Sequence, residues 1–391
     1  MSQAIAEGAA AEKKPVAHSP GHIDALDGIR GLAILLVLAH HFFGYDVRHI
    51  WWLDLVFKFV GYGWCGVDLF FVLSGFLITG ILLKTKTSAH YFRNFYMRRT
   101  LRIFPLYYGC LLVALILLPA LGWNVGRQPG TAGQSWYWLY GTNLLISLQG
   151  SWETTGSAFF RVGHFWSLAV EEHFYLVWPF VVYFVPTKKL WTVCVTIAVS
   201  VFCLRSAWFL WTRDWITADV WTPCRADSLV MGGLAALALN SPMPREVLKR
   251  YSARVFGIVG TGLVAALVAQ VDRETSLFVS TFGYTALAVF FAALILYVVL
   301  SGPGHWASGF FSGPTLRFFG RYSYGIYVYH MFVLSGFVVF SADKFFAQIV
   351  HSSLGGMVVS RLAALLVTLI AAIISWHLYE KQFLRLKRFF A

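Results

Sequence analysis

An all-α, polytopic membrane helix bundle of about ten spans, plus one re-entrant or interfacial segment, is the fold this sequence predicts. Three observations carry that expectation. Of 391 residues, 58% are apolar and only 13% are charged, where a soluble domain sits nearer half apolar and a quarter charged. Apolar runs of spanning length recur along the chain. Lys and Arg gather in alternate connecting segments, the bias that orients membrane proteins.

The elements follow in order. Residues 1–21, rich in Ala, Glu, Lys and Pro, lack the apolar core of a signal peptide and predict a disordered cytoplasmic tail. Residues 22–388 predict one membrane domain. Runs near 28–45, 62–83, 101–121, 165–186, 190–211, 255–270, 277–300, 318–340 and 356–379 read as spans, and a shorter run at 226–240 completes the set. The stretch 136–149, "WYWLYGTNLLISLQ", is too short to cross comfortably and carries Asn143, so it reads as re-entrant or interfacial. With the N-terminus inside, this arrangement places about 21 of the 31 Lys and Arg on the cytoplasmic side. An eleventh span at 136–149 would put the basic segments 241–254 and 381–388 outside. Both termini are therefore expected in the cytoplasm.

The formal net charge of +13 reads as cytoplasmic loops facing anionic lipid headgroups, since no nucleic-acid-binding module is present. The 5 cysteines are scattered without a CxxC pair, which argues against a zinc site or a disulfide framework. No metal is expected.

Polar residues inside apolar runs mark the candidate site. In "LDGIRGLAILLVLAHHFF", Arg30 and His41 lie eleven residues apart, about three helical turns, so they share a face roughly 16 Å apart. An ionisable group within a span is costly and usually faces a cavity. His40 points about 100° away and reads as an interfacial neighbour. In "GWCGVDLFFVLSGFLITG", Asp68 falls at the depth of His41, where a carboxylate could orient an imidazole base. In "YFRNFYMRRTLRIFPLYY", Arg98 and Arg102 stack on one helix face beside Arg99, and arginine suits multidentate phosphate binding. In "HFWSLAVEEHFYLVWPF", Glu171 and Glu172 form an adjacent carboxylate pair that a lipid-facing helix would not accept. Blander readings stand beside these. Arg30 also suits a positive-inside anchor, Asp68 a helix cap, the arginines a lipid-headgroup patch, and the glutamates a structural ion pair. Further polar groups (Arg225 with Asp227, His330, Glu380) fall in or beside later spans.

As an ordered set, four pieces resemble the acyltransferase-3 family of membrane-bound acyltransferases: "LDGIRGLAILLVLAHH", "GVDLFFVLSGFLIT", "RRTLRIFPLYY" and "FWSLAVEEHFYLVWP". Supporting pieces are "CRADSLVMGGLAAL", "GRYSYGIYVYHMFVL" and "HLYEKQFLRL", and the resemblance runs from about residue 22 to 388. The family's Arg–ten residues–His pattern falls on Arg30 and His41, and its Arg-x-x-Arg element on Arg99 and Arg102. Its Ser-Leu-x-x-Glu-x-x-Phe-Tyr element falls on Ser167, Leu168, Glu171, Phe174 and Tyr175. His173 stands where a glutamine is common.

The resemblance implies transfer of an acyl group, often acetyl, from acyl-coenzyme A to a hydroxyl of a sugar, cell-envelope glycan or secondary metabolite, in a bacterial inner membrane. Arg30, Arg98, Arg99 and Arg102 would grip the donor's phosphates. His41, oriented by Asp68 or Glu171, would act as general base, with an acyl-histidine intermediate as the alternative. Many relatives carry a soluble hydrolase-like domain after the last span. None is read here, so the membrane domain or a separate partner would handle the acceptor. A proton-coupled transporter or flippase is the rival reading, disfavoured by the lack of an internal repeat. A scaffold that has lost catalysis is disfavoured because the candidate residues are all in place.

Overall fold

A computed structural model describes residues 23–44, 56, 57, 59–122, 131–152, 162–269, 271 and 273–390. The predicted tail over 1–21 lies outside them. Among the described residues every regular element is helical. The long helices are α1 (Asp24–Phe43), α2 (Gly66–Thr85), α3 (Tyr91–Leu112, continuing through Ala120), α6 (Trp166–Phe184), α7 (Thr187–Thr212), α9 (Thr222–Leu239), α10 (Arg245–Val268), α11 (Tyr284–Leu300), α13 (Pro314–Val339) and α15 (Ser353–Ser375). Short helices α4 (Thr131–Trp138), α5 (Thr142–Gln149), α8 (Trp215–Val220), α12 (Trp306–Phe311), α14 (Ala342–Ile349) and α16 (Lys381–Arg385) connect them.

Eight helical segments are long and apolar enough to cross a membrane. The other two long helices, α6 and α9, fall short of that apolarity because they carry Glu171, Glu172 and His173, and Arg225 and Asp227, into the bundle. The result is a multi-pass helical membrane protein. Lipid replaces water as the outer solvent, so large apolar side chains such as Ile258, 74% exposed, point outward. The stretch 136–149 breaks at Gly141 into the ends of two eight-residue helices. Asn143 of α5 donates to the Val220 carbonyl at 3.3 Å and to Thr222 Oγ1 at 2.9 Å, tying this segment to the start of α9.

Helix α3 begins at Tyr91, ten residues before the expected start of that span. Tyr91 and Phe95 are one turn apart and both buried. The Tyr91 and Tyr96 hydroxyls donate to the Pro179 and Leu176 carbonyls of α6 at 3.0 and 2.8 Å. Packing against α6 thus holds the turns that carry Arg98, Arg99 and Arg102 in one helix with the span.

Two close crossings set the positions of the site-bearing helices. On α1 and α13, a Cβ at Gly31 would lie 1.9 Å from the Leu316 carbonyl oxygen, and one at Gly320 would lie 1.8 Å from that of Asp27. On α2 and α9, a Cβ at Gly75 would meet the Leu229 oxygen at 1.8 Å, and one at Gly232 the Val72 oxygen at 1.9 Å. Backbone meets backbone at these points, the small-residue contact that membrane helices use in the absence of a hydrophobic force between them.

Gly232→Val should therefore separate α2 from α9 and destabilise the fold by about 3 kcal/mol or more. Thermal unfolding of the detergent-purified protein reads this directly. Gly257→Val, with no atom within 4 Å of the new carbon, should leave the transition unchanged.

Candidate active site

Helices α1, α2, α3, α6 and α13 line a cavity of about 110 Å³. Its floor and sides are apolar, with Val67, Phe70, Phe71, Leu73, Ile78, Ile103 and Leu168. A ladder of hydroxyls (Ser74, Tyr175, Ser167, Tyr324, Tyr327) crosses them, and Glu171 joins it with Arg30, Arg99 and Arg102. Arg30, Leu77, Arg99 and Arg102 also line a wider mouth of about 1060 Å³ at the end of the bundle where α1 begins. Inner cavity and mouth therefore meet at three guanidinium groups. The mouth adds Lys84, Arg98, Arg317, Arg321 and Lys387.

The charge of this region is not neutralised from within. Arg30 pairs with Asp27 at 2.6 Å, and Arg317 with Asp24 at 3.1 Å. Arg98, Arg99 and Arg102 have no carboxylate within ion-pair distance among the described residues; Arg99 lies over the Tyr175 and Phe95 rings at 5.6 and 5.9 Å. Helix geometry divides the arginines differently from the sequence expectation. Arg99 and Arg102 reach both spaces, whereas Arg98 lines the mouth alone.

His41 lies at the other end of α1, half-buried and outside the cavity lining. Its Nδ1 stands 3.0 Å from the Val37 carbonyl. A carbonyl only accepts, so Nδ1 carries the proton and Nε2 holds the free lone pair. The ring belongs to a histidine cluster. Its centroid is 4.9 Å from that of His330 and 5.1 Å from that of His40, and His330 is in turn 5.1 Å from His164. His40 is buried in the protein and donates from Nδ1 to the Gly61 carbonyl at 2.6 Å. His164 donates from Nε2 to Val328 at 3.3 Å.

Between this cluster and the cavity stands Tyr327. Its hydroxyl donates to the His164 carbonyl at 2.7 Å and shares a 2.5 Å hydrogen bond with Ser167. Its ring lies 5.5 Å from that of His330. The inner end of the cavity and the histidines thus face each other across one aromatic ring.

Asp68 corrects a sequence expectation. It does not hold His41: Oδ1 accepts from Arg225 Nη2 at 2.6 Å and from Ser228 at 3.3 Å, and Oδ2 has no hydrogen-bond partner. A carboxylate in this interior takes the strongest donor in reach, a guanidinium. The pair belongs to a buried network. Arg225 Nη1 lies 3.9 Å from Asp219, which also pairs with Arg273, and Arg205 binds Asp227 at 2.9 Å. Tyr284 donates to Asp219 at 2.9 Å, and Arg225 lies over its ring at 4.2 Å. In the loop before α11, burial works against the Arg273 cation, but the Asp219 carboxylate outweighs it and holds the guanidinium above its ordinary pKa. Glu171 is likewise not placed on His41; it faces Arg99 and Arg102 across the cavity. His173 bonds Thr222 at 2.8 Å, bracing α6 on α9.

Several site residues were not legible from sequence. His164 sat within a quoted motif without being singled out, and Arg317, Arg321 and Lys387 looked like ordinary inside-facing charges. Their signal is positional, a cation near the end of a span on the side shared by Arg30.

Similarity to known proteins fits this arrangement. The model of a family described as an acyltransferase domain matches residues 23–379. The chain is 30% identical over 330 residues to the peptidoglycan O-acetyltransferase OatA of Listeria monocytogenes, covering 81% of this chain and 50% of that protein. It is 29% identical over 381 residues to the putative peptidoglycan O-acetyltransferase YrhL of Bacillus subtilis, covering 92% and 54%. A putative O-acetyltransferase of Staphylococcus aureus, SACOL0978, is 27% identical over 334 residues, covering 80% and 51%. The chain thus spans about half the length of these relatives. No solved structure matches it.

Asp68→Ala should strand the buried Arg225 charge and destabilise the protein by about 3–5 kcal/mol, while Asp68→Leu combined with Arg225→Met should recover most of that loss. Thermal melts of the two variants beside the wild type check this. A wild-type melt for Asp68→Ala would point away from the structural role.

Proposed function

This chain belongs to the acyltransferase family whose model covers residues 23–379, and from that membership and the cavity geometry we propose that it is a membrane O-acyltransferase. It moves an acyl group, acetyl by the names of its relatives, from acyl-coenzyme A to a hydroxyl of a glycan. The observation that carries the reading is the unneutralised arginine set where mouth and cavity meet. A polyanion supplies the charge these groups lack, and guanidinium groups bind phosphate in a planar, multidentate way. The narrower cavity behind them, apolar with a hydroxyl ladder, suits an extended, uncharged arm ending in a thioester.

In this reading Arg99 and Arg102 bind donor phosphate, Arg98 adds charge in the mouth, and Arg30, already held by Asp27, contributes less. The acyl carbon arrives near Ser167 and Tyr327. His41, with Nε2 free as an acceptor, takes the proton of the acceptor hydroxyl as its oxygen attacks. Glu171, facing Arg99 and Arg102, keeps part of their charge balanced before donor arrives. The mouth gathers the ends of α1, α2 and α13 and the last residues of the chain, so a cytoplasmic donor places both termini in the cytoplasm. The membrane is then the plasma membrane of a bacterium, and the acceptor a cell-envelope glycan.

His41→Ala should lower turnover by about 10²–10⁴-fold, the usual worth of a general base, with acetyl-coenzyme A binding retained. Thiol release by the purified protein measures the first and calorimetry the second; near-normal turnover would remove His41 from the role. Arg102→Ala should weaken coenzyme A binding about tenfold to a hundredfold, the value of a charge-assisted hydrogen bond. An unchanged dissociation constant would count against the phosphate assignment.

A further inference from the structure

Tyr327 stands between the histidines and the donor cavity, and the thiolate that leaves on the donor side takes up a proton while His41 gives one up. His330 stands between His41 and the Tyr327 ring. It is fully buried, its ring is 4.9 Å from His41 and 5.5 Å from the cavity-lining Tyr327, and its Nδ1 lies 2.6 Å from the Tyr327 carbonyl. That carbonyl fixes the proton on Nδ1 and leaves the lone pair on Nε2, which has no hydrogen-bond partner. A buried, unpartnered acceptor is costly unless something uses it. His164, on the far side, is tied by Nε2 to Val328, so its ring does not mirror this arrangement.

We propose that His330 is a proton relay between His41 and the leaving group of the acyl donor, an inference that rests on the transfer reaction described above. The acceptor O–H bond breaks as its oxygen bonds the acyl carbon, and the proton passes to His41 Nε2. The acyl carbon–sulfur bond breaks with its electron pair going to sulfur. His41 hands the proton to His330 Nε2, regaining its lone pair, and the sulfur takes the proton from His330 on the donor side. No further reactant is consumed, and both imidazoles end as they began. His330 takes the proton from His41 and gives it to the leaving sulfur, so in this proposal it is a catalytic residue on the donor side and does not touch the acceptor. The groups facing it are His41 from α1, His164 from the segment entering α6, and Tyr327 from its own helix.

His330→Asn keeps a side-chain N–H that can reach the Tyr327 carbonyl but removes the Nε2 acceptor. With acetyl-coenzyme A as donor and a chitin tetrasaccharide as acceptor probe, this variant should lose about 10²-fold or more in kcat with KM for the donor unchanged. His330→Gln serves where the asparagine variant does not fold. A kcat within threefold of wild type, while His41→Ala is inactive, overturns the relay and leaves the transferase reading standing. Turnover retained by His41→Ala overturns both. Nitrogen-15 spectra of labelled histidines give an answer that needs no turnover. Both His41 and His330 should appear as Nδ1–H tautomers. A proton on Nε2 of His330 overturns the relay even if no thiol is released from acetyl-coenzyme A, a result that would separately end the donor assignment.

Discussion

A charge inside an apolar bundle has to meet its opposite, and this structure answers that demand in two ways. Around α9 the answer is internal: Arg205, Arg225 and Arg273 face Asp227, Asp68 and Asp219, so three cations and three carboxylates hold α2, α7 and α9 and the loop before α11 together. Between α1, α3 and α13 it is left open. Arg98, Arg99 and Arg102 have no carboxylate partner among the described residues, in a wall that also holds Lys84, Arg317, Arg321 and Lys387. Arg98 is exposed and Arg99 and Arg102 are half-buried, so solvent in the mouth carries part of the cost of leaving them without a partner, and the proposed donor phosphate would carry more.

The histidines follow a related rule at lower stakes. His40, His41 and His330 each give their Nδ1 proton to a backbone carbonyl, at Gly61, Val37 and Tyr327. The bundle's own backbone thus sets which nitrogen is basic, without a carboxylate behind the ring. This removes the need for Asp68 as an orienting partner and frees it for Arg225. It also explains how an imidazole can be held in one tautomer where a second buried negative charge would be hard to accommodate.

Helix approach fixes where these groups stand. Gly31 and Gly320 let α1 and α13 touch backbone to backbone, which brings His41 and His330 within ring contact at the far end of the same helix pair. Gly75 and Gly232 do the same for α2 and α9, and so place Asp68 on Arg225. The glycines touch none of these side chains but decide which of them meet.

Alone, the sequence settled the broad class and much of the register. Apolar runs separated by basic segments specify a helical membrane bundle, because each spanning segment must satisfy its own backbone hydrogen bonds. The eleven-residue spacing of Arg30 and His41 places them at two ends of one face, because helix rise is fixed. Contacts between helices were beyond its reach. Asp68 lies level with His41 in sequence depth yet turns to Arg225, 157 positions away, and His330 joins His41 from a helix nearly three hundred residues later. Depth along a span is a one-dimensional quantity that spacing reveals. Which faces oppose one another depends on crossings between helices distant in the chain, and those crossings decided the partners, the tautomers and the division of the arginines between mouth and cavity.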